Sequence, residues 1–298
     1  MFSTTLPTGF HYRDYFVSLS LEKIGIPPPQ KMDTKYWGPS GWKLLHLIAE
    51  ADTVQGRKIN RPFWESLPYV LPCKFCRASL SDYYETHPIP TQSADMSKWL
   101  YTIHNCVNEK LRSQGQSLSA NPPYEAVSTH YRELLGRGCT ESVFPGWEFL
   151  FSIADNYPGT APSKPMPDTP ATVVKAADAG RLSIAELNRH NLLGATARIR
   201  ILRHFMDAVP AVLPFALWSA LWRRHCKKDY GGRGPAKRTL WCIRCALDRA
   251  LERKSEKTYH GLCVELAAKR SGCSASRRAK TCRALPMKKT KRSKTHKH

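Results

Sequence analysis

Apolar residues recur at helical spacing through the first half of the chain. Between about residues 94 and 114, for example, Trp99, Ile103 and Val107 fall on one face of a helix. Comparable patterns predict helices over about 37–52, 62–70, 73–88 and 123–136, with Pro68 breaking the second. No long run alternates polar and apolar residues with the period of two that strands show. This half therefore predicts an all-α bundle of four helices with a short fifth helix.

The second half continues the helical pattern after a proline-rich break. Residues 157–171 contain five prolines, which predicts a linker or a long loop. Further helices are predicted over 183–206, 205–222, 239–254 and 258–270. We therefore divide the chain into an N-terminal extension (1–30), a helical domain (31–136), a second, mostly helical basic domain (137–286) and a disordered basic tail (287–298).

One apolar run, from Phe205 to Trp222, approaches the length of a membrane span and is followed by basic residues. Asp207, Pro210 and Pro214 interrupt it, which favours a buried, kinked helix pair over a membrane helix. The N-terminus lacks a basic segment followed by an apolar one, so no secretory signal is predicted. We expect a cytoplasmic, non-secreted protein without membrane contact.

Charge is distributed unevenly. The chain of 298 residues holds 46 Lys and Arg against 24 Asp and Glu, and its last 118 residues hold 29 of the basic and 7 of the acidic residues. This imbalance predicts two units with different roles. The basic unit, residues 181–298, is expected to retain nucleic acid non-specifically or to bind acidic proteins. A solvated face with a solubilising tail is the alternative.

Ten cysteines are too few for a disulfide-dense scaffold, so individual pairs carry the information. Cys73 and Cys76 form a C-x-x-C pair at the start of a predicted helix, where backbone N–H groups and the helix dipole stabilise a thiolate. Lys74 and Arg77 add positive charge. This environment is typical of a reactive dithiol.

A C-x-x-C pair also occurs in two other kinds of site. A thioredoxin-type site needs strand–helix–strand surroundings, which the pattern lacks. A zinc site completed by Cys106, His87 or His104 stays open on spacing alone.

Two further motifs flank the cysteine pair. Upstream, Trp37 begins the segment WGPSGWKLLH, which ends at His46; downstream, Trp99 begins WLYTIHNCVNEKL. Together with the Pro-Cys-x-x-Cys segment, this order resembles the flavin-dependent sulfhydryl oxidases of the Erv/ALR family over about residues 37–131. The flat side chains suit a planar cofactor inside a helical bundle, and the Gly-x-Gly-x-x-Gly fingerprint of Rossmann-type binding is absent.

The resemblance implies an FAD-binding four-helix bundle and a thiol oxidase that makes disulfide bonds in protein dithiols, passing electrons through FAD to O2 to give H2O2. It implies that Cys76 lies next to the flavin, that Cys73 exchanges with the substrate, and that the protein is a homodimer. Metal is not implied. The FAD contacts that it implies are Trp37, Gly38, Trp42, His46, His104, Asn105, Val107, Asn108, Lys110 and Tyr131.

The chain departs from the family pattern in two places. Leu71 occupies a position where the family often has Tyr, and Tyr84 or Glu85 stands where many cellular members have a cysteine. The structural disulfide of those members is therefore expected to be missing, with Cys106 a packed thiol.

The second half resembles, more loosely, the extra C-terminal domain of thiol oxidases from large cytoplasmic DNA viruses. That resemblance implies work in the infected-cell cytoplasm or the virion. Cys242 and Cys245 form a second C-x-x-C pair. This pair either transfers electrons from substrate to the first pair, forms a structural disulfide, stays as reduced core thiols, or binds zinc together with Cys263 or His260. Cys273 and Cys282 are spaced for a small loop disulfide. The rival function class is a basic, zinc-stapled protein that binds nucleic acid or builds the virion.

Overall fold

The computed structural model describes residues 34–116, 118–159, 163–254 and 257–269. Across these ranges the chain is all-α, as predicted, with one 3-10 turn at Ser93–Asp95 and no strand. The helices are α1 (Thr34–Gln55), α2 (Arg61–Val70), α3 (Lys74–Thr86), α4 (Met96–Ser113), α5 (Tyr124–Gly136), α6 (Gly138–Glu141), α7 (Trp147–Asp155), α8 (Ala171–Asp178), α9 (Ile184–Arg189), α10 (Ala195–Val212), α11 (Ala216–His225), α12 (Arg233–Ala250) and α13 (Tyr259–Lys269).

The first five helices match the predicted bundle, with one correction. Pro68 lies inside α2 without breaking it. A proline has no N–H to offer the carbonyl four residues earlier, which here belongs to Trp64. The Tyr84 hydroxyl donates to that carbonyl at 3.1 Å, so the missing hydrogen bond is replaced from α3.

The helices predicted in the second half need two corrections. The run predicted over 183–206 is split into α9 and α10, because residues 190–194 leave the helix and Gly194 caps α10. Two short helices were not predicted: α7, and α8, which begins where the linker expected over 157–171 ends. The extension 1–30, the tail 287–298, and Cys273 and Cys282 lie outside the described residues.

The apolar run from Phe205 to Trp222 forms the predicted kinked pair, with α10 ending at Val212 and α11 beginning at Ala216. Phe205, Trp218 and Trp222 are fully buried within the protein. Arg57 of the loop after α1 donates to the carbonyls of Val212 and Leu213 at 3.0 and 3.1 Å, which satisfies the end of α10. Within the described part of the chain, no helix is long and apolar enough to span a membrane.

The two predicted domains share one hydrophobic core. Helix α10 packs on α2, where the rings of Phe63 and Phe205 stack at 5.2 Å, and α7 packs between α1 and α12. The buried Lys237 of α12 pairs with the buried Asp155 of α7 at 2.8 Å. The division at residues 136 and 137 stays a prediction about organisation, but the packing makes the second half part of the scaffold that holds the first.

Candidate functional site

The cysteine pair lies where α3 begins. Cys73 is the N-cap residue and Cys76 lies in the first turn. The N–H of Arg77 donates to the Cys73 carbonyl at 3.0 Å, which starts the helical ladder directly on the motif. The positive end of the α3 dipole lies at the motif, so this helix end favours negative charge on the sulfur atoms of the two cysteines. Cys73 is buried and Cys76 is partly exposed.

A cleft of about 480 Å³ opens beside α3 and runs between α1, α3 and α4. This volume lies within the usual range of about 300–1,000 Å³ for cofactor sites. Cys76 lines the cleft, whereas Cys73 does not. Eight of the ten side chains expected to contact a cofactor also line it, namely Trp37, Gly38, Trp42, His104, Val107, Asn108, Lys110 and Tyr131.

The two expected contacts outside the lining are His46 and Asn105. His46 is 3% exposed and lies behind His104, with its Nε2 3.0 Å from Nδ1 of His104. It supports the cleft wall from beneath. Asn105 is half-buried on α4 and does not line the cleft, so a contact through Asn105 stays a prediction.

Stacked rings form one wall of the cleft. Trp42 stacks on His104 with ring centres 4.0 Å apart and planes inclined by 10°. His46 stacks in turn on Tyr131 at 5.2 Å. Burial lowers the pKa of His46 to about 3, with a smaller contribution from His104, and burial lowers the pKa of His104 to about 4. Both imidazoles are therefore neutral near pH 7, so one ring N–H donates to the other ring nitrogen.

These residues fit a planar, negatively charged cofactor. The indole N–H of Trp37 is buried and has no hydrogen-bond acceptor among the residues that the structure describes, so it is available to a ligand. A Cβ atom added at Gly38 would meet nothing within 4 Å, which leaves room for close approach to α1. Lys110 donates to Ser79 at the cleft wall and brings a positive charge there.

Sequence comparison agrees with this geometry. Residues 39–126 match the model of the Erv1/Alr family. An FAD-linked sulfhydryl oxidase of African swine fever virus (isolate Tick/Malawi/Lil 20-1/1983) is 31% identical over 84 residues, which cover 26% of this chain and 71% of the viral protein. The chain belongs to the Erv1/Alr family. No solved structure matches it.

Other relatives match over smaller shares of their length. A probable FAD-linked sulfhydryl oxidase of Acanthamoeba polyphaga mimivirus is 29% identical over 26% of this chain and 59% of its own. The mitochondrial FAD-linked sulfhydryl oxidase of Saccharomyces cerevisiae is 29% identical over 29% of this chain and 47% of its own. The Erv1/Alr match therefore ends before the second half of the chain begins.

Sequence reasoning missed several residues of this Erv1/Alr cleft. Phe75, Leu80 and Tyr83 line it from α3, and their helical spacing around Cys76 was the available signal. Phe149 lines it from α7, with its ring 5.9 Å from that of Trp37. No local pattern identifies Phe149, because it reaches the cleft only through the packing of α7 on α1.

The remaining cysteines lie elsewhere. Cys106 is a half-buried thiol on α4 whose pKa is raised by burial. Cys242 is exposed and Cys245 half-buried in the middle of α12, and burial, followed by the charges of Asp248 and Cys242, raises the pKa of Cys245. Across the described ranges, no three His, Cys, Asp or Glu side chains are arranged to hold a metal ion.

Proposed function

We propose that this Erv1/Alr chain is an FAD-dependent thiol oxidase that makes disulfide bonds in protein substrates through Cys73 and Cys76 and yields H2O2 from O2. One observation carries the proposal: Cys76 lines the same cleft as the stacked Trp42 and His104, while the neighbouring Cys73 does not. Cys76 is therefore the cysteine placed beside the candidate cofactor wall, whereas Cys73 is buried and has to become accessible when it exchanges with substrate. Relatives named FAD-linked sulfhydryl oxidases support the same activity.

The exchange with substrate involves the cysteine pair alone. A substrate thiolate attacks Sγ of Cys73 in the oxidised pair, the Cys73–Cys76 bond breaks, and Cys76 leaves as a thiolate. The second substrate thiolate then attacks the substrate sulfur of the mixed disulfide and releases Cys73 as a thiolate. Two electrons pass to the pair, and the two substrate thiols lose their protons to solvent.

The cleft residues position the electron acceptor. When bound in the cleft, FAD supplies the two-electron step that connects the reduced cysteine pair to O2. The rings of Trp42 and His104 offer a flat wall, and burial lowers the pKa of both His46 and His104, so both imidazoles are uncharged near pH 7. Lys110 supplies positive charge for a pyrophosphate. The first turn of α3 stabilises the Cys76 thiolate beside this wall.

The first experiment is a visible absorption spectrum of the purified protein before and after anaerobic dithiothreitol. We expect bands of oxidised flavin that bleach with the dithiol and return with air. Cys76→Ser is expected to keep the bands and lose oxygen consumption. Cys106→Ser is the matched control, since Cys106 is a half-buried thiol outside the C-x-x-C pair, and it is expected to keep both the flavin bands and the oxygen consumption. A colourless protein after supply of FAD, or normal turnover in Cys76→Ser, contradicts the proposal.

We further propose that the enzyme serves disulfide formation in viral proteins in the cytoplasm of an infected cell or in the virion. The relatives from mimivirus and African swine fever virus support this setting. Because cytosolic glutathione keeps thiols reduced, disulfides made there need a dedicated oxidase. In a Cys76→Ser variant the Cys73 thiolate attacks a substrate disulfide, breaks its S–S bond and forms a mixed disulfide that Cys76 can no longer release. Such adducts isolated from infected cells would identify the substrates; capture of host secretory proteins alone would contradict the setting.

The packing of the second half limits which surface the expected homodimer can use. The apolar faces of α1 and α2 are covered by α7 and α10 of the same chain, so a second copy has to use another surface of the bundle. Sedimentation velocity over a range of protein concentrations tests the expectation. A single species with the mass of one chain at every concentration contradicts it.

A further inference from the structure

Asn191, just after α9, joins two segments that flank the cysteine pair. Its Oδ1 accepts a hydrogen bond from a terminal nitrogen of Arg77 at 2.7 Å, and its Nδ2 donates to the carbonyl of Lys164 at 2.6 Å. Arg77 directly follows Cys76. One amide from the second half of the chain therefore connects the redox helix with residues 163–166.

Arg77 also forms hydrogen bonds to the backbone around Cys73. It is only 4% exposed, and its second terminal nitrogen donates to the carbonyl of Leu71 at 3.1 Å. Leu71 ends the stretch that leads through Pro72 into Cys73, and the backbone N–H of Arg77 bonds to the Cys73 carbonyl. The position of the guanidinium is thus coupled to the backbone on both sides of Cys73.

Residues 163–166 lie against the same motif. The N–H of Met166 donates to the carbonyl of His190 at 3.0 Å, which fixes the segment to the end of α9. Lys74, between the two cysteines, donates from Nζ to the carbonyl of Pro165 at 3.3 Å. Residues 163–166 therefore contact the motif at Lys74, and Arg77 contacts the backbone before Cys73. Asn191 forms hydrogen bonds to both Arg77 and Lys164.

Arg77 also interacts electrostatically with a second guanidinium group. Arg198 of α10 is near enough to Arg77 that the charge of Arg77, together with the larger effect of burial, lowers the pKa of Arg198 to about 9. Two guanidinium groups repel each other, and a buried one needs hydrogen bonds to offset its lost solvation. The bonds to Asn191 and Leu71 hold the Arg77 guanidinium against the backbone that leads into Cys73.

We propose that Asn191 is a positioning residue for the Cys73–Cys76 pair: by holding Arg77 beside the motif, it stabilises the thiolate form of the pair and so sets its thiol–disulfide equilibrium. A positive charge close to a cysteine favours the thiolate, and the thiolate belongs to the reduced pair that forms when the disulfide accepts two electrons from substrate. This inference rests on the proposed function for its biological meaning, but the equilibrium that it concerns belongs to the two cysteines alone.

Two substitutions separate the side-chain hydrogen bonds of Asn191 from the general docking of α9. Asn191 has a φ of 56°, a left-handed conformation that glycine adopts without strain, so Asn191→Gly removes both side-chain bonds and leaves the backbone undisturbed. Arg189→Ala is the matched control. Arg189 of α9 also connects α9 to α3, through ion pairs to Asp82 and Glu85, which lie farther along α3 from the cysteines. Thermal unfolding of each variant checks that α9 stays docked.

The measurement equilibrates the purified full chain anaerobically with mixtures of reduced and oxidised glutathione and counts the reduced Cys73–Cys76 pair by alkylation. We expect Asn191→Gly to disfavour the reduced pair by about tenfold, the effect of one pKa unit at the thiolate. For this two-electron couple that change is a fall of about 30 mV in potential. Arg189→Ala is expected to leave the equilibrium unchanged. The proposal is overturned if Asn191→Gly leaves the glutathione equilibrium unchanged, or if Arg189→Ala shifts that equilibrium equally.

A double-mutant cycle tests whether Asn191 acts through Arg77. Arg77→Met replaces the buried guanidinium by an apolar side chain, a change that interiors commonly tolerate. In this background Asn191→Gly is expected to have no further effect on the glutathione equilibrium; additive shifts overturn the proposal. Since the readout involves neither flavin nor O2, a protein without flavin would refute the proposed function, and the glutathione equilibrium would still test the role of Asn191.

Discussion

Nε2 of His46 lies 3.0 Å from Nδ1 of His104, and the pair is enclosed by Trp42 on one side and Tyr131 on the other. The hydrogen bond joins α1 to α4, the two helices that supply most of the predicted cofactor contacts. Its geometry requires at least one unprotonated ring nitrogen, and the lowered pKa of each ring meets that requirement at neutral pH. The state of this pair therefore depends on pH.

Stability is expected to fall in mild acid because of these two rings. The unfolded chain binds protons at both histidines near pH 6.5, whereas the folded chain excludes them until pH values of about 4 for His104 and about 3 for His46. Their contribution is fully present above about pH 6.5 and is lost as pH falls, by at most about 1.4 kcal/mol per pH unit for each ring. Urea unfolding between about pH 7 and pH 5 measures the slope.

The double variant His46→Asn with His104→Asn is expected to flatten that slope. His204→Asn is the control, because His204 is exposed on α10. If the double variant and the wild type lose stability equally between these pH values, the two rings are protonated in the folded protein and the assignment of a neutral pair is wrong.

Two glycines of α1 are expected to respond oppositely to alanine. A Cβ atom at Gly41 would lie 3.0 Å from Cδ2 of Phe149, whereas at Gly38 it would meet nothing within 4 Å. Gly41→Ala is expected to destabilise the fold by about 1 kcal/mol after the gain in helix propensity, by pushing α7 from α1. Gly38→Ala is expected to keep or raise the melting temperature while weakening flavin retention, since Gly38 lines the cleft. Equal melting temperatures for the two variants contradict the packing argument.

The buried ion pair of Lys237 and Asp155 is expected to be essential to the second half of the fold. Its atoms lie 2.8 Å apart with side chains 9% and 0% exposed. Lys237→Ala removes the positive charge beside a buried carboxylate and is expected to cost about 3–5 kcal/mol in unfolding free energy. The more exposed pair of Lys257 and Glu265, 2.9 Å apart, is the comparison, and Lys257→Ala is expected to cost less than about 1 kcal/mol. Similar losses measured by urea unfolding would contradict the contrast.

The second cysteine pair is expected to be dispensable for small substrates. Cys242 and Cys245 lie on α12, which packs on α7 and α11, and burial raises the pKa of Cys245, which keeps its thiol protonated. Replacing both by serine is expected to preserve oxygen consumption with dithiothreitol and to slow turnover only of protein substrates that use this pair as a shuttle. A collapse of the dithiothreitol rate would place Cys242 and Cys245 in the central reaction instead.

The basic tail is expected to govern retention on nucleic acid. Residues 287–298 hold six Lys and Arg and lie outside the described residues. Each cation bound to phosphate releases counterions, so deleting the tail is expected to lower the salt dependence of binding to duplex DNA by up to about 5 in log–log slope. Replacement by a glycine and serine segment of equal length is the control for chain length. An unchanged slope in both variants favours a solubilising role.

Prediction from sequence succeeded where the signal is local. The apolar helix face that includes Trp99 and Ile103 is a short-range feature, as are the turn residues between helices, and the first five helices follow such features closely. Prediction failed at Pro68, because local rules predict that a proline breaks the helix. Those rules do not include the hydrogen bond from Tyr84, on another helix, that replaces the missing one. Prediction failed again at α7, where the short apolar stretch 147–155 gave no periodic pattern to distinguish it.

The sequence alone establishes the helical class, the position of Cys73 and Cys76 at a helix start, and the set of flat side chains that accompany them, because propensity and spacing act within a few residues. The folded chain alone reveals which cysteine lines the cleft, that His46 lies behind His104, that Phe149 reaches the cleft and that Asn191 reaches Arg77. Those relationships depend on how helices distant in sequence bury their apolar faces against each other, and no local pattern encodes that packing.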